Sequence, residues 1–196
     1  MKGITGHIVA HTHETFLFYA VKSIYKYMDS ILLYWNGERN AIFDKTLKDI
    51  KKLDKKRKVI IREVQLETKE WKWSTTNISR LIRKNAGKRS VGSVRKMQID
   101  DTETEFFFLC DADEVHYAKS MKTIISDILP TWDDSHICGF IPLVWYADID
   151  HTFPHYTPVG RIFKTDRVYL NSNSPNEMHI DVMSGKIIQL KDSISI

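Results

Sequence analysis

Two stretches of this chain set carboxylates at a spacing that suits metal chemistry. In FFFLCDADEVH, Phe106 to His116, a run of strand-forming apolar residues leads straight into Asp111 and Asp113. Side chains at i and i+2 of an extended chain point to the same side, so the pair is expected to share a divalent cation. Hard carboxylate oxygens suit Mg²⁺ or Mn²⁺ and do not select zinc. Two carboxylates that close repel each other, and a cation carrying a diphosphate would relieve the repulsion. The plainer role is a cap on the following helix, which accounts for one aspartate but not for two followed by Glu114. The second stretch, GFIPLVWYADID, repeats the spacing with Asp148 and Asp150.

Such residues need strands to deliver them, and the periodicities supply candidates. His7 to Ala10 forms a first strand, followed by a helix over Thr15 to Tyr27 with Phe16, Ala20, Ile24 and Tyr27 on one face. SILLYW (Ser30 to Trp35) is a second strand, stopped by Asn36-Gly37. A lysine-rich outer helix covers Asp44 to Lys58, with Phe43, Leu47, Ile50 and Leu53 facing inward, before a third strand at Val59 to Val64. Gln65 to Lys88, with Trp71 and Trp73 in a polar setting, reads as a loop packed over something. A helix at Ser90 to Ile99, with Val91, Val94 and Met97 inward, leads to the strand Glu105 to Cys110. Another helix at Tyr117 to Leu129, with Met121, Ile124, Ile125 and Ile128 on one side, is stopped by Pro130. Strands follow at Ile137 to Tyr146, Gly160 to Lys164 and Lys186 to Leu190.

Alternating strands and helices over the first 130 residues imply a parallel sheet covered on both faces, with an antiparallel tail. Four strands end in polar clusters: His11-Thr12-His13-Glu14, Asn36-Gly37-Glu38, Asp111 to Glu114, and Asp148 to Asp150. In a parallel sheet those ends converge on one edge, where ligands of open α/β sheets gather.

The helix–strand–acid order VGSVRKMQIDDTETEFFFLCDADEVH resembles the GT-A glycosyltransferases and their Asp-X-Asp motif. The likeness covers roughly residues 5 to 150, and the compact length is similar to that of a small crenarchaeal-virus member. It implies a single-domain, three-layer α/β/α fold of the nucleotide-diphospho-sugar transferase type. The sheet would be mostly parallel with a short antiparallel C-terminal part. Residues 1–116 would form the nucleotide-sugar-binding half and 117–196 the acceptor side of one domain spanning 1–196. The resemblance further implies Mn²⁺ or Mg²⁺ at Asp111 and Asp113, bridging to the donor diphosphate or ribose. The strand-one end (His11, Thr12, Glu14) would contact the nucleotide. Asn36 stands where many members carry an aspartate. Arg95, with Gln98 one turn on, occupies the helix where a cation helps hold the diphosphate, unless Arg95 is an ordinary surface residue. Inverting members need a carboxylate base for the acceptor hydroxyl. Asp150 is favoured, with Asp148 beside it and Glu177 in SPNEMHI as the rival. His179 is either a third metal ligand or a loop histidine. Trp145, Tyr146, Phe153, His155 and Tyr156 either line an acceptor site or pack in the core.

At 196 residues, 42% hydrophobic and 28% charged, the chain can bury a substantial core and is not of disordered type. A net charge of +4 favours anionic ligands but does not imply nucleic-acid binding. Cys110 and Cys138 lie in apolar runs and read as buried thiols rather than a bridge. No run approaches the ~20 apolar residues of a membrane span, and no targeting segment precedes the first strand. A cytoplasmic protein is expected, in the host cytoplasm if viral. The expected partners are a nucleotide-sugar donor and a glycan, protein or lipid acceptor. A nucleotidyltransferase is the enzymatic alternative, although Gly92-Ser93 lies too far before Asp111 for its usual pattern. A catalytically inactive viral or structural descendant of the fold is the other.

Overall fold

The first three strands run parallel because a helix crosses the sheet between each and the next. This computed structural model describes residues 3–10, 15–35, 39–64, 91–146, 152–170, 180–182 and 186–189. Strand β1 (Ile4–Ala10), helix α1 (Leu17–Tyr25), β2 (Ser30–Trp35), α2 (Ala41–Leu53) and β3 (Val59–Glu63) make two successive strand–helix–strand units. Helix α3 (Val91–Asp100) precedes β4 (Phe106–Leu109), and the short helix α4 (Ala118–Lys122) follows it. The remaining strands are β5 (His136–Tyr146), β6 (Thr152–Lys164), β7 (Val168–Leu170), β8 (Ile180–Val182) and β9 (Lys186–Gln189).

Seven strands form one sheet in the order β3-β2-β1-β4-β6-β5-β9, while β7 and β8 pair separately. The strands β3, β2, β1 and β4 are mutually parallel, and β6 runs antiparallel to both β4 and β5. The chain therefore steps outward from β1 to β3 and then returns to the other side of β1 as β4. That reversal makes the gap between the ends of β1 and β4 a topological switch point, the crevice where such sheets bind ligands. Since β5 opposes β6 and β6 opposes β4, β5 also finishes at this edge.

The sheet is buried on both faces, which is why β4 is apolar at every position. Phe106 and Phe108 pack with α1 and α4 residues such as Ile24 and Met121, and Phe107 and Leu109 pack with Ile137, Cys138 and Phe163. Each fully buried phenylalanine contributes roughly 2–3 kcal/mol. Helix α1 lies so close to β1 that a Cβ on Gly6 would stand 2.9 Å from Ile24 Cδ1. Helix α3 covers the opposite face, where Val94 meets Leu32 and Tyr34.

Several boundaries differ from the sequence expectation for identifiable reasons. Phe16 precedes the first helical turn and is 53% exposed, so the buried face of α1 is Leu17, Ala20, Val21 and Ile24. Helix α2 begins earlier, capped by Asn40 Oδ1 accepting from Phe43 N–H at 2.9 Å. It also ends earlier, because Asp54 accepts the N–H groups of Lys58 and Val59 and turns the chain out of the helix. Met97 packs beside Val94 as expected, but Arg95 and Gln98 of α3 are buried more deeply than it is. After α4 the chain widens into a π-turn at Thr123–Ile128 and a 3₁₀ turn at Leu129–Thr131, where Pro130 stops it. In the tail, β9 runs parallel to β5, not antiparallel. Strands β7 and β8 carried no sequence signal, being only three residues each. Gln65 to Lys88 lies outside the described residues.

Candidate functional site

Strand β4 stops because its last ladder bond is made: Cys110 N–H donates to His7 O at 3.0 Å. The next four residues fold into a turn. Glu114 N–H donates to Asp111 O at 3.0 Å, and Asp111 N–H donates to Glu114 Oε2 at 3.1 Å. Asp111 and Asp113 are therefore not alternate residues of an extended strand, and the same-side geometry expected for them does not form. Asp111 opens the turn with its side chain about one-third exposed, and Asp113 sits exposed at the corner.

Two arginines converge on Asp111. Arg95, reaching across from α3, donates from Nη2 to Asp111 Oδ1 at 2.7 Å and from Nη1 to His7 O at 3.3 Å. Arg161, arriving from β6, donates from Nη2 to Asp111 Oδ2 at 2.9 Å and also pairs with Glu114 Oε1. Both guanidinium groups are buried, so Arg95 is no ordinary surface residue. Burial alone would raise the Asp111 carboxyl, but the charges of Arg161 and Arg95 hold it below the usual carboxylate range. Arg95 is itself lowered by burial, which outweighs the pull of Asp111. For Arg161 burial is likewise the largest effect, but Asp111 and Glu114 together overcome it and raise the group. Asp113, by contrast, makes no hydrogen bond or ion pair with any described residue.

Beneath the turn, a neutral polar lattice ties α3 to the strands. Gln98 is fully buried and donates its amide protons to Ile8 O at 2.9 Å and Leu32 O at 2.8 Å. Its side chain is an anchor for α3 and does not reach the turn, contrary to the donor-binding role expected for it. Thr102 donates its hydroxyl proton to Gln98 O at 2.6 Å, so it can only accept from His7 Nε2, also at 2.6 Å. His7 stacks on Phe107 with ring centroids 4.6 Å apart. Burial, then the Arg95 charge, push His7 well below its ordinary pKa, so it is neutral.

Among the described residues two donor sets can be weighed for a metal ion. Asp113 offers a free, exposed carboxylate, the hard oxygen that suits Mg²⁺ or Mn²⁺, while both oxygens of Asp111 already accept from Arg95 and Arg161. Cys110, Glu114 and His116 bring a thiol, a carboxylate oxygen and an imidazole nitrogen within 4.8 Å of one another. That second set fits a dication poorly. Glu114 already accepts from Arg161 and from Asp111 N–H, and the Arg161 cation stands against it. Burial, then Glu114, also raise the Cys110 thiol well above its ordinary pKa and disfavour the thiolate a metal needs. Cys138 is likewise buried and free, its thiol pushed up to about 12 by burial.

No protein-family profile and no curated sequence matches the chain. Solved structures do. TarS residues 1–349 from S. aureus superposes on 98% of this chain with a TM-score of 0.53 at 15% identity. Glucosyl-3-phosphoglycerate synthase from Mycobacterium tuberculosis, in complex with Mn²⁺, UDP and phosphoglyceric acid, superposes on 96% with a TM-score of 0.51 at 7% identity. The fold is GT-A-like. The GT-A-like chain spans 59% of the TarS chain and 69% of the synthase, so the likeness is one of architecture.

Of the other residues singled out from the sequence, His11, Thr12, Glu14, Asn36, Asp148, Asp150, Glu177 and His179 lie outside the described residues. The aromatic positions Trp145 and Tyr146 fall in β5, and Phe153, His155 and Tyr156 in β6. Arg161 is the functional candidate that sequence reasoning missed. Its signal was an arginine inside the apolar strand GRIFK, where a charge is not expected unless a partner awaits it. No described helix is long and apolar enough to cross a membrane.

Proposed function

We propose that this chain transfers a glycosyl group from a nucleotide-sugar to an acceptor hydroxyl, using a divalent cation. The observation that carries this reading is the acidic turn at the switch point of a GT-A-like sheet, with one free carboxylate, Asp113, beside two buried arginines. That a neighbour of the same architecture was solved with Mn²⁺ and UDP supports it. Asp113 would hold Mn²⁺ or Mg²⁺ with Asp111 alongside, and His179 is a candidate third ligand. When bound, the cation neutralises charge on the leaving diphosphate.

The chain's own residues would divide the remaining work. Arg95 keeps Asp111 ionised and brings positive charge to the diphosphate side of the crevice. His11, Thr12, Glu14 and Asn36 would contact the nucleotide. Asp150 would accept the acceptor proton, with Asp148 and Glu177 as the competing bases. Residues 1–116 would bind the donor and 117–196 face a glycan, protein or lipid acceptor, although Arg161 reaches Asp111 from the second half.

The test is a set of nucleotide-sugars incubated with Mn²⁺, read by release of nucleoside diphosphate. Asp113→Asn should lower Mn²⁺-dependent release at least ~100-fold with an unchanged melting temperature, since Asp113 has no described partner to lose. Full activity in Asp113→Asn removes the metal assignment. Pyrophosphate released from a nucleoside triphosphate would instead indicate nucleotidyl transfer.

A further inference from the structure

Arg161 belongs to none of the acidic motifs, yet it is more deeply buried than either acid it contacts. The sheet is locally irregular in order to place it. Gly139 pairs with Ile162 and Phe140 with Gly160, so Arg161 is the extra residue of a β-bulge. Bulges re-aim a side chain next to functional sites. This one lies one residue beyond the level where Phe108 of β4 pairs with Ile162, beside Leu109 at the end of β4, from where the arginine side chain reaches forward to the acidic turn. The neighbouring position is tightly packed: a Cβ on Gly160 would stand 3.0 Å from Phe163 Cζ, so that ring would have to shift.

We propose that Arg161 is the positioning residue for Asp113: by bridging Asp111 and Glu114, the first and last residues of the turn, it fixes the free carboxylate at the corner for a divalent cation. The inference rests on the donor-site reading above. One guanidinium nitrogen, Nη2, contacts both ends of the turn, while the backbone closes the same two residues on each other. The turn cannot open without breaking that contact. The charges support the same division. Arg95 and Arg161 balance Asp111 and Glu114, leaving Asp113 as the negative charge of the turn that no described residue compensates. A pair retained only for stability would have little reason to be ionic, because apolar replacements of buried ion pairs are often as stable.

The experiment compares the intact chain with Arg161→Lys and Glu114→Gln. Binding of Mn²⁺ is titrated by electron paramagnetic resonance in the presence of UDP, GDP or ADP, and folding is followed separately by circular dichroism and thermal melting. Lysine keeps the charge but lacks the planar fork, and glutamine removes the charge at the far end of the bridge. Each variant should melt cooperatively while the half-saturating Mn²⁺ concentration rises about 10- to 100-fold, as for other residues that orient metal ligands. A purely structural role would lower the melting temperature and leave that concentration unchanged; this result in both variants overturns the proposal. If the unmodified chain binds Mn²⁺ with none of the three nucleotides, the donor-site reading fails first and the role of Arg161 fails with it.

Discussion

Where α3 covers the parallel strands, Gln98, Thr102 and His7 form a lattice of neutral hydrogen bonds. Gln98 reaches carbonyls of both β1 and β2, and Thr102 links His7 to the end of α3. In the antiparallel half the corresponding attachments are ionic. Arg161 bridges Asp111 and Glu114, and Lys164, also buried, pairs with Asp134 at 2.7 Å. The Gln98–Thr102–His7 lattice contains no carboxylate, while Arg161 couples β6 to the acidic turn through charge. Stability and site geometry should therefore respond to acid through different residues.

The largest expected effect is on the ionic side. Arg161→Met strands the largely buried Glu114 carboxylate, leaves Asp111 to Arg95 alone, and should destabilise the chain by about 3 kcal/mol at pH 7. Asp111 is depressed in the folded state, so its contribution is full above the unfolded carboxylate value and is lost as pH falls through the folded one. Urea unfolding of both proteins at pH 7 and near pH 3 should show the deficit shrinking in acid. A deficit that stays constant would mean that packing, not charge, joins the halves.

Gln98→Leu should come next, losing two buried hydrogen bonds worth about 2 kcal/mol together. The same pair of urea experiments should return equal losses at both pH values. A loss that changes as the carboxylates protonate would erase the distinction between the halves.

The smallest effect belongs to His7, whose lowered pKa places it in another pH window. The unfolded chain gains a proton on this residue below about pH 6.5, and the folded chain does not. Stability from His7 is thus full above that value and declines as pH falls. The decline is about 1 kcal/mol between pH 6.5 and 5.5 for one proton. His7→Phe should flatten that part of the thermal-stability profile; an unaltered slope would assign the proton uptake elsewhere.

Much of the parallel half was legible in the amino-acid order. FFFL announced a strand covered on both faces, and α2 carried its periodicity openly, though Asn40 and Asp54 set its ends through side-chain bonds to backbone that spacing does not reveal. The acidic run at the end of β4 was equally visible. Its shape was not, because the turn depends on Glu114 and Arg161 together, and they stand 47 residues apart.

Local order was enough to establish alternating helices and strands and to raise the expectation of a divalent cation at two neighbouring acids, since burial periodicity and carboxylate chemistry are properties of a few adjacent residues. Only the folded chain decided which acid is neutralised and which is free. That outcome depends on a bulge in β6 that brings a distant guanidinium to one carboxylate of the pair, and no residue near Asp111 in the sequence encodes it.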